Sequence, residues 1–142
     1  MKIKILYHSR SGNTRKVAEA MAKALNVDAG QVPPGYPIEN LDLLFLGGGI
    51  YMGKIDSKLE YFISTLNPGR AKNVAVFGTS GGPDNGIKRI KELLSKQGVN
   101  VIDESFLCKG RYFFFFCRKY PSDEDLKNAQ EFAGRVAAKI KG

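Results

Sequence analysis

Short β-rich apolar runs alternate with stripes of helical spacing along this chain, and that alternation constrains the fold more than any other feature. The runs are Ile3-Lys4-Ile5-Leu6-Tyr7, Leu41–Leu46, Val74-Ala75-Val76-Phe77 and Val99–Leu107. Val27–Val32 reads as a further, weaker strand. Between and after them stand Val17, Ala18, Met21, Ala22 and Leu25; then Leu59, Phe62, Ile63 and Leu66; then Ile87, Ile90, Leu93 and Leu94. The last stripe is Leu126, Ala129, Phe132, Ala133, Val136, Ala137 and Ile140. Spacings of three and four place each stripe on one helix face. Strands that alternate with helices form a parallel sheet with helices on both faces. In such a sheet ligands bind beyond the carboxyl ends of the strands.

The punctuation agrees. Ser57-Lys58-Leu59-Glu60 has the spacing of a capping box, and Asn67-Pro68-Gly69 stops that helix. Gly98 ends the third helix. Ser122 caps the last, with Asp123, Glu124 and Asp125 in the turn where the helix dipole favours negative charge. Pro33-Pro34-Gly35-Tyr36-Pro37 cannot be regular structure, so Pro33–Asn40 predicts an irregular crossover rather than a helix.

At 142 residues, with 43% apolar and 25% charged side chains, residues 1–142 read as a single domain with a proper core. No apolar run approaches the roughly 18 residues a membrane span needs. The lysine-interrupted N-terminus does not read as a signal peptide. Cys108 and Cys117 form no disulfide framework and lack Cys-x-x-Cys spacing, so both read as small hydrophobes and a cytoplasmic address is expected. The net charge of +8 is uneven: +5 over residues 1–26, −1 over 27–108 and +4 over 109–142. A fold that joins the two ends would make a basic face that attracts anions or acidic partners. No nucleic-acid reader motif is present, and no membrane association is expected.

Three loops leave strand ends toward the same edge. Ser9-Arg10-Ser11-Gly12-Asn13-Thr14 offers three hydroxyls and a glycine turn ahead of a helix N-terminus, a combination that suits a phosphate. It is neither a Walker A loop nor a dinucleotide fingerprint. Gly47-Gly48-Gly49-Ile50-Tyr51-Met52-Gly53-Lys54 combines glycines that permit close approach to a flat ligand with an aromatic and a thioether able to cover a planar ring. Ile50 has an equally good use packing under the next helix. Thr79-Ser80-Gly81-Gly82-Pro83-Asp84 supplies backbone amides and little bulk.

Together these residues resemble the flavodoxin family. Ser9-Arg10-Ser11-Gly12-Asn13-Thr14 matches its phosphate-loop pattern, Ser/Thr-x-Ser/Thr-Gly-x-Thr, at every fixed position. Gly49–Gly53 and Thr79–Gly82 resemble its second and third flavin loops. The resemblance runs over the whole chain. It implies an α/β three-layer sandwich whose five-stranded parallel sheet has the order 2-1-3-4-5, with FMN held non-covalently at its edge. Carried over by position, the cofactor-binding residues are Ser9, Arg10, Ser11, Gly12, Asn13 and Thr14; Gly49, Ile50, Tyr51, Met52, Gly53 and Lys54; and Thr79, Ser80, Gly81, Gly82 and Pro83. Ser9, Ser11, Asn13 and Thr14 are expected at the phosphate, Tyr51 or Met52 over the ring, and the backbone of 79–84 at its pyrimidine edge. Gly53 matches the glycine whose carbonyl turns toward flavin N5 on one-electron reduction.

The chain departs from the family in having no tryptophan, no aromatic in the third loop and a basic rather than acidic charge. Tyr112 or Phe113 is a candidate substitute for the missing ring cover. Lys54 places a cation where acidic residues are common, which favours the anionic reduced flavin. His8 reads as a strand-end polar residue. Phe113–Phe116 is a run expected to be buried or to face a partner.

The resemblance therefore implies a monomeric electron carrier that cycles FMN between oxidised, semiquinone and hydroquinone states and serves redox proteins, acidic ones included. The sequence shows no catalytic acid or base and no metal set. An FMN-dependent NAD(P)H/quinone-type reductase and a flavin-free binding module on the same fold are the competing readings.

Overall fold

The computed structural model describes residues 1–10, 12–50, 54–80, 85–109 and 121–142. Its elements follow the order β1 (Ile3–His8), α1 (Asn13–Leu25), β2 (Ala29–Gln31), β3 (Leu41–Ile50), α2 (Ser57–Ser64), β4 (Ala71–Ser80), α3 (Asn85–Lys96), β5 (Asn100–Val101), β6 (Phe106–Lys109) and α4 (Asp123–Lys141). The sheet is parallel throughout, in the order β2-β1-β3-β4-β5, with β6 also on β4. That order is the one the resemblance implied.

Burial on both faces explains the near-continuous apolar strands. Along β3, Leu43 and Phe45 point to the layer shared with Val17, Met21, Phe132 and Val136, whereas Leu44 and Leu46 point to the layer of Leu59, Phe62, Ile63 and Ile90. Period-two alternation thus feeds two cores from one strand. Helices α1 and α4 cover the first face and α2 and α3 the second. Phe45 and Phe132 meet edge to face at 5.9 Å.

Three expectations need correction. First, β3 and β4 run past their apolar cores through Gly47–Gly49 and Gly78–Ser80, so these residues belong to strands, not loops. The reason is volume. A Cβ on Gly47 would lie 2.3 Å from the Phe77 ring, and one on Gly48 would lie 2.5 Å from Leu59 Cδ2. Gly47 and Gly48 thereby make room for neighbouring side chains. Second, the last strand is not continuous over Val99–Leu107. The register with β4 advances so that residues 102–105 stand opposite only 75 and 76, which divides the strand into β5 and β6. This extra length makes a bulge that the β-rich composition hides. Third, Asp56, not Ser57, caps α2, its carboxylate accepting from the Lys58 N–H at 2.8 Å.

The remaining expectations on described residues fare better. Residues 32–40 carry no helix, and the Val32–Pro33 peptide is cis. Ser122 and Asp125 make a reciprocal capping box, at 2.9 and 3.1 Å. Cys108 is buried, and burial, helped by the charge of Asp125, pushes its thiol up to about 12. Cys117, Tyr112 and Phe113–Phe116 lie outside the described residues. Helices α1 and α4 do meet, through Gln130 Nε2 donating to the Ala20 carbonyl at 3.1 Å among other contacts. Within α4, Lys127, Arg135, Lys139 and Lys141 balance Asp123, Glu124, Asp125 and Glu131, so the surplus of residues 109–142 sits on Lys109, Arg111, Arg118 and Lys119, whose side chains lie outside the described structure. No described helix is long and apolar enough to cross a membrane.

Candidate functional site

Parallel strands deliver His8, Ile50 and Ser80 to one edge of the sheet, in neighbouring ladders. The chain leaves β1 there through Ser9–Gly12. Ser9 Oγ accepts from the Gly12 N–H at 3.0 Å, and the Ser9 N–H donates to Gln31 Oε1 at 3.3 Å. Gly12 closes the turn at φ 89° and is the N-cap of α1. That left-handed value penalises a residue with a Cβ, so glycine is required by conformation. Where its Cβ would stand there is open space, with no atom within 4 Å.

The glycine cap matters chemically. It brings no side-chain acceptor to the first turn, whereas α2 and α4 carry Asp56 and Ser122 at that position. The first N–H groups of α1 and the positive end of its dipole therefore meet the edge next to the Ser9 hydroxyl. This donor set fits a phosphate-bearing ligand.

Two contacts tie the loop to the rest of the edge. Thr14 Oγ1 and Thr79 Oγ1 lie 2.7 Å apart, with Thr14 only 1% exposed. One hydroxyl donates to the other, so a single O–H hydrogen of the pair is left for a third group. Arg10 Nε and Nη2 both donate to Asp56 Oδ2, at 3.2 and 3.0 Å. Asp56 Oδ1 also stands 3.6 Å from His8 Nε2. The Lys58 N–H first, then the Arg10 hydrogen bonds and the charges of His8 and Arg10, hold the Asp56 carboxyl below its usual range, against the burial that raises it. Sequence reasoning did not name Asp56 for the site. The signal available was an acidic residue directly before Ser57.

The structure thus brings Ser9, Arg10, Gly12, Asn13, Thr14, Thr79 and Ser80 to one edge. Asn13, Thr79 and Ser80 are buried. Gly49 pairs with Thr79 and Ile50 with Ser80 in the ladder. The Ile50 side chain is 2% exposed and fills the space against Gly86, where a Cβ would lie 2.6 Å from it. Packing takes that side chain, the second use expected for it from the sequence. Lys54 is exposed. Ser11, Tyr51, Met52, Gly53, Gly81, Gly82 and Pro83 lie outside the described residues. Among the described residues no buried side-chain nitrogen or oxygen lacks a partner, and none cluster as metal ligands.

The profile of the flavodoxin domain matches residues 4–114. An uncharacterised protein of Methanocaldococcus jannaschii is 33% identical over 96% of this chain and 98% of its own length. A flavodoxin-like domain-containing protein of Clostridioides difficile, BilS, is 29% identical over 78% of this chain and 67% of its own. Among solved structures, a flavodoxin from the domain Archaea superposes with a TM-score of 0.82 over the whole of both chains, at 21% identity.

Proposed function

The chain belongs to the flavodoxin family, and from that premise we propose that it binds FMN at this edge and carries single electrons between protein partners. The observation that carries the reading is the Ser9–Thr14 loop, folded with Gly12 at a left-handed φ onto the N-terminus of α1 and tied to β4 through Thr79. FMN, when bound, supplies the redox chemistry, and the protein supplies orientation and electrostatics.

Ser9 and the remaining hydroxyl hydrogen of the Thr14–Thr79 pair donate to the phosphate beside the α1 amides. No lysine is needed in the loop, because amides and hydroxyls at a helix N-terminus stabilise an anion. The Arg10–Asp56 pair pins the loop to the start of α2, so the donors do not have to be ordered on binding. The reading extends the ring contacts to residues 49–54 and 79–83. Lys54 would place a positive charge beside the bound ring, where it would favour added negative charge. Acidic redox proteins are the expected partners, drawn by the surplus of positive charge in residues 1–26.

The test is to add FMN to the purified protein, remove the excess, and reduce the complex stepwise without oxygen. Retained colour with two separate one-electron steps is the expected result. Retained colour with a single two-electron step favours the FMN-dependent reductase of a small acceptor. Loss of all colour on gel filtration overturns the flavin reading and leaves a binding module on the same fold.

A further inference from the structure

We propose that the cleft between the helix-free crossover 32–38 and the outer side of α2 is a second ligand site, one that takes a planar aromatic carboxylate. The crossover is too short for a helix, so an irregular segment lies beside α2 and lines with it a cavity of about 760 Å³. That volume is in the range of small-molecule sites. Among the described residues no member of the three carboxyl-edge loops lines it, although His8 and Gln31 bring it up to the Ser9 turn, and the inference does not rest on the flavin reading.

Its lining has a definite chemistry. Tyr36, Tyr61 and Phe62 supply rings, Lys58 and Arg70 supply cations, and no carboxylate is among the lining residues. Met1, Tyr36 and Tyr61 are the exposed large apolar side chains among the described residues, and two of them, Tyr36 at 43% and Tyr61 at 74%, line this cleft. Lys4 Nζ stands 5.2 Å from the centroid of the Tyr36 ring and helps to hold it.

Arg70 is the recognising group. Its Nε donates to the Ile38 carbonyl at 2.9 Å and its Nη1 to the Thr65 carbonyl at 2.7 Å, so the guanidinium is immobilised and half-buried between the two walls of the cleft. Both partners are neutral. Among the described residues no carboxylate pairs with it, and Nη2 makes no hydrogen bond. A fixed, unpaired guanidinium in a partly desolvated wall favours a carboxylate, with which it can make charge-assisted bonds. The adjacent rings favour an aromatic body on that carboxylate.

The probe is 2-naphthoate, titrated into ¹⁵N-labelled protein with and without saturating FMN and followed by amide chemical shifts. The expected result is saturable shifts of residues 32–38, 57–62 and 70, with the same midpoint whether or not FMN is present. 2-Naphthalenemethanol, which lacks the charge, should bind about tenfold more weakly, as should 2-naphthoate to Arg70→Gln. Tyr61→Ala removes an exposed ring without touching the core and should weaken binding about threefold with an unchanged melting temperature, so it decides the matter if Arg70→Gln does not fold. No saturable shift, displacement of the probe by FMN, shifts confined to residues 9–14, or equal affinity for the acid and the alcohol each overturns the proposal.

Discussion

Two glycines at the same edge of the sheet do opposite jobs. Gly12 is needed for its backbone, at φ 89°, and has open space where a Cβ would be. Gly47 has no such conformation and is needed for its lack of volume, because the Phe77 ring lies where a Cβ would go. One glycine keeps a surface open and the other lets the core close. A glycine-rich strand end therefore does not by itself mark a binding loop. The space around the missing side chain decides which job is done.

The largest expected effect separates the two directly. Gly47→Ala forces a methyl group against a fully buried ring and should cost about 3 kcal/mol of stability, the upper end for overpacking. Thermal or urea denaturation measures it. FMN affinity per folded molecule should be unchanged. An alanine that leaves the melting temperature intact would show that the Phe77 ring moves aside, and the contrast with Gly12 would fail.

Asp56→Ala comes next, at about 1–2 kcal/mol, since it removes a helix cap along with the acceptor for Arg10. The pH dependence has a definite sign. In the folded state the Asp56 carboxyl titrates below its ordinary value. Its contribution is therefore fully present above that value and is lost as pH falls through the lower folded one. Asp56→Asn should lose stability at neutral pH and flatten the acid limb of the unfolding curve. An unaltered acid limb would show that the pair with Arg10 adds nothing measurable.

Gly12→Ala inverts the Gly47 pattern. The left-handed backbone costs an alanine about 1 kcal/mol, while the added methyl occupies the open space beside the helix N-terminus. FMN affinity should fall roughly tenfold, the equivalent of one lost contact to a charged group. Fluorescence quenching on titration with FMN reads this out. Last, Lys54→Glu should make the second reduction potential more negative and leave folding untouched, because the side chain is exposed. A spectroelectrochemical titration with no shift would place Lys54 too far from the ring to act.

Much of the fold was legible because apolar periodicity reports burial directly. Ile3–Tyr7 and the Leu126–Ile140 stripe fell into β1 and α4 with correct faces. The phosphate-loop pattern was legible because it is local, with Ser9, Gly12 and Thr14 within six residues. Most of the misses share a cause, which is that pairing partners are distant in sequence. Strand status for Gly47–Gly49 comes from a ladder to Phe77–Thr79, and the break between β5 and β6 from a register change against β4. The Arg10–Asp56 pair spans 46 residues, and the cleft at Arg70 joins the crossover to α2. Ser57-x-x-Glu60 looked like a complete capping box, and only three dimensions show Asp56 taking that place.

The Thr14–Thr79 bond joins residues 65 apart in the chain. Closing such a contact requires β1, α1, β3 and β4 to be in place beforehand, so it belongs among the late, non-local events of folding. The edge that carries the candidate site then has no stable existence before the native topology. Refolding followed by flavin capture should track recovery of the whole fold rather than run ahead of it, and cofactor uptake becomes a clock for the final step.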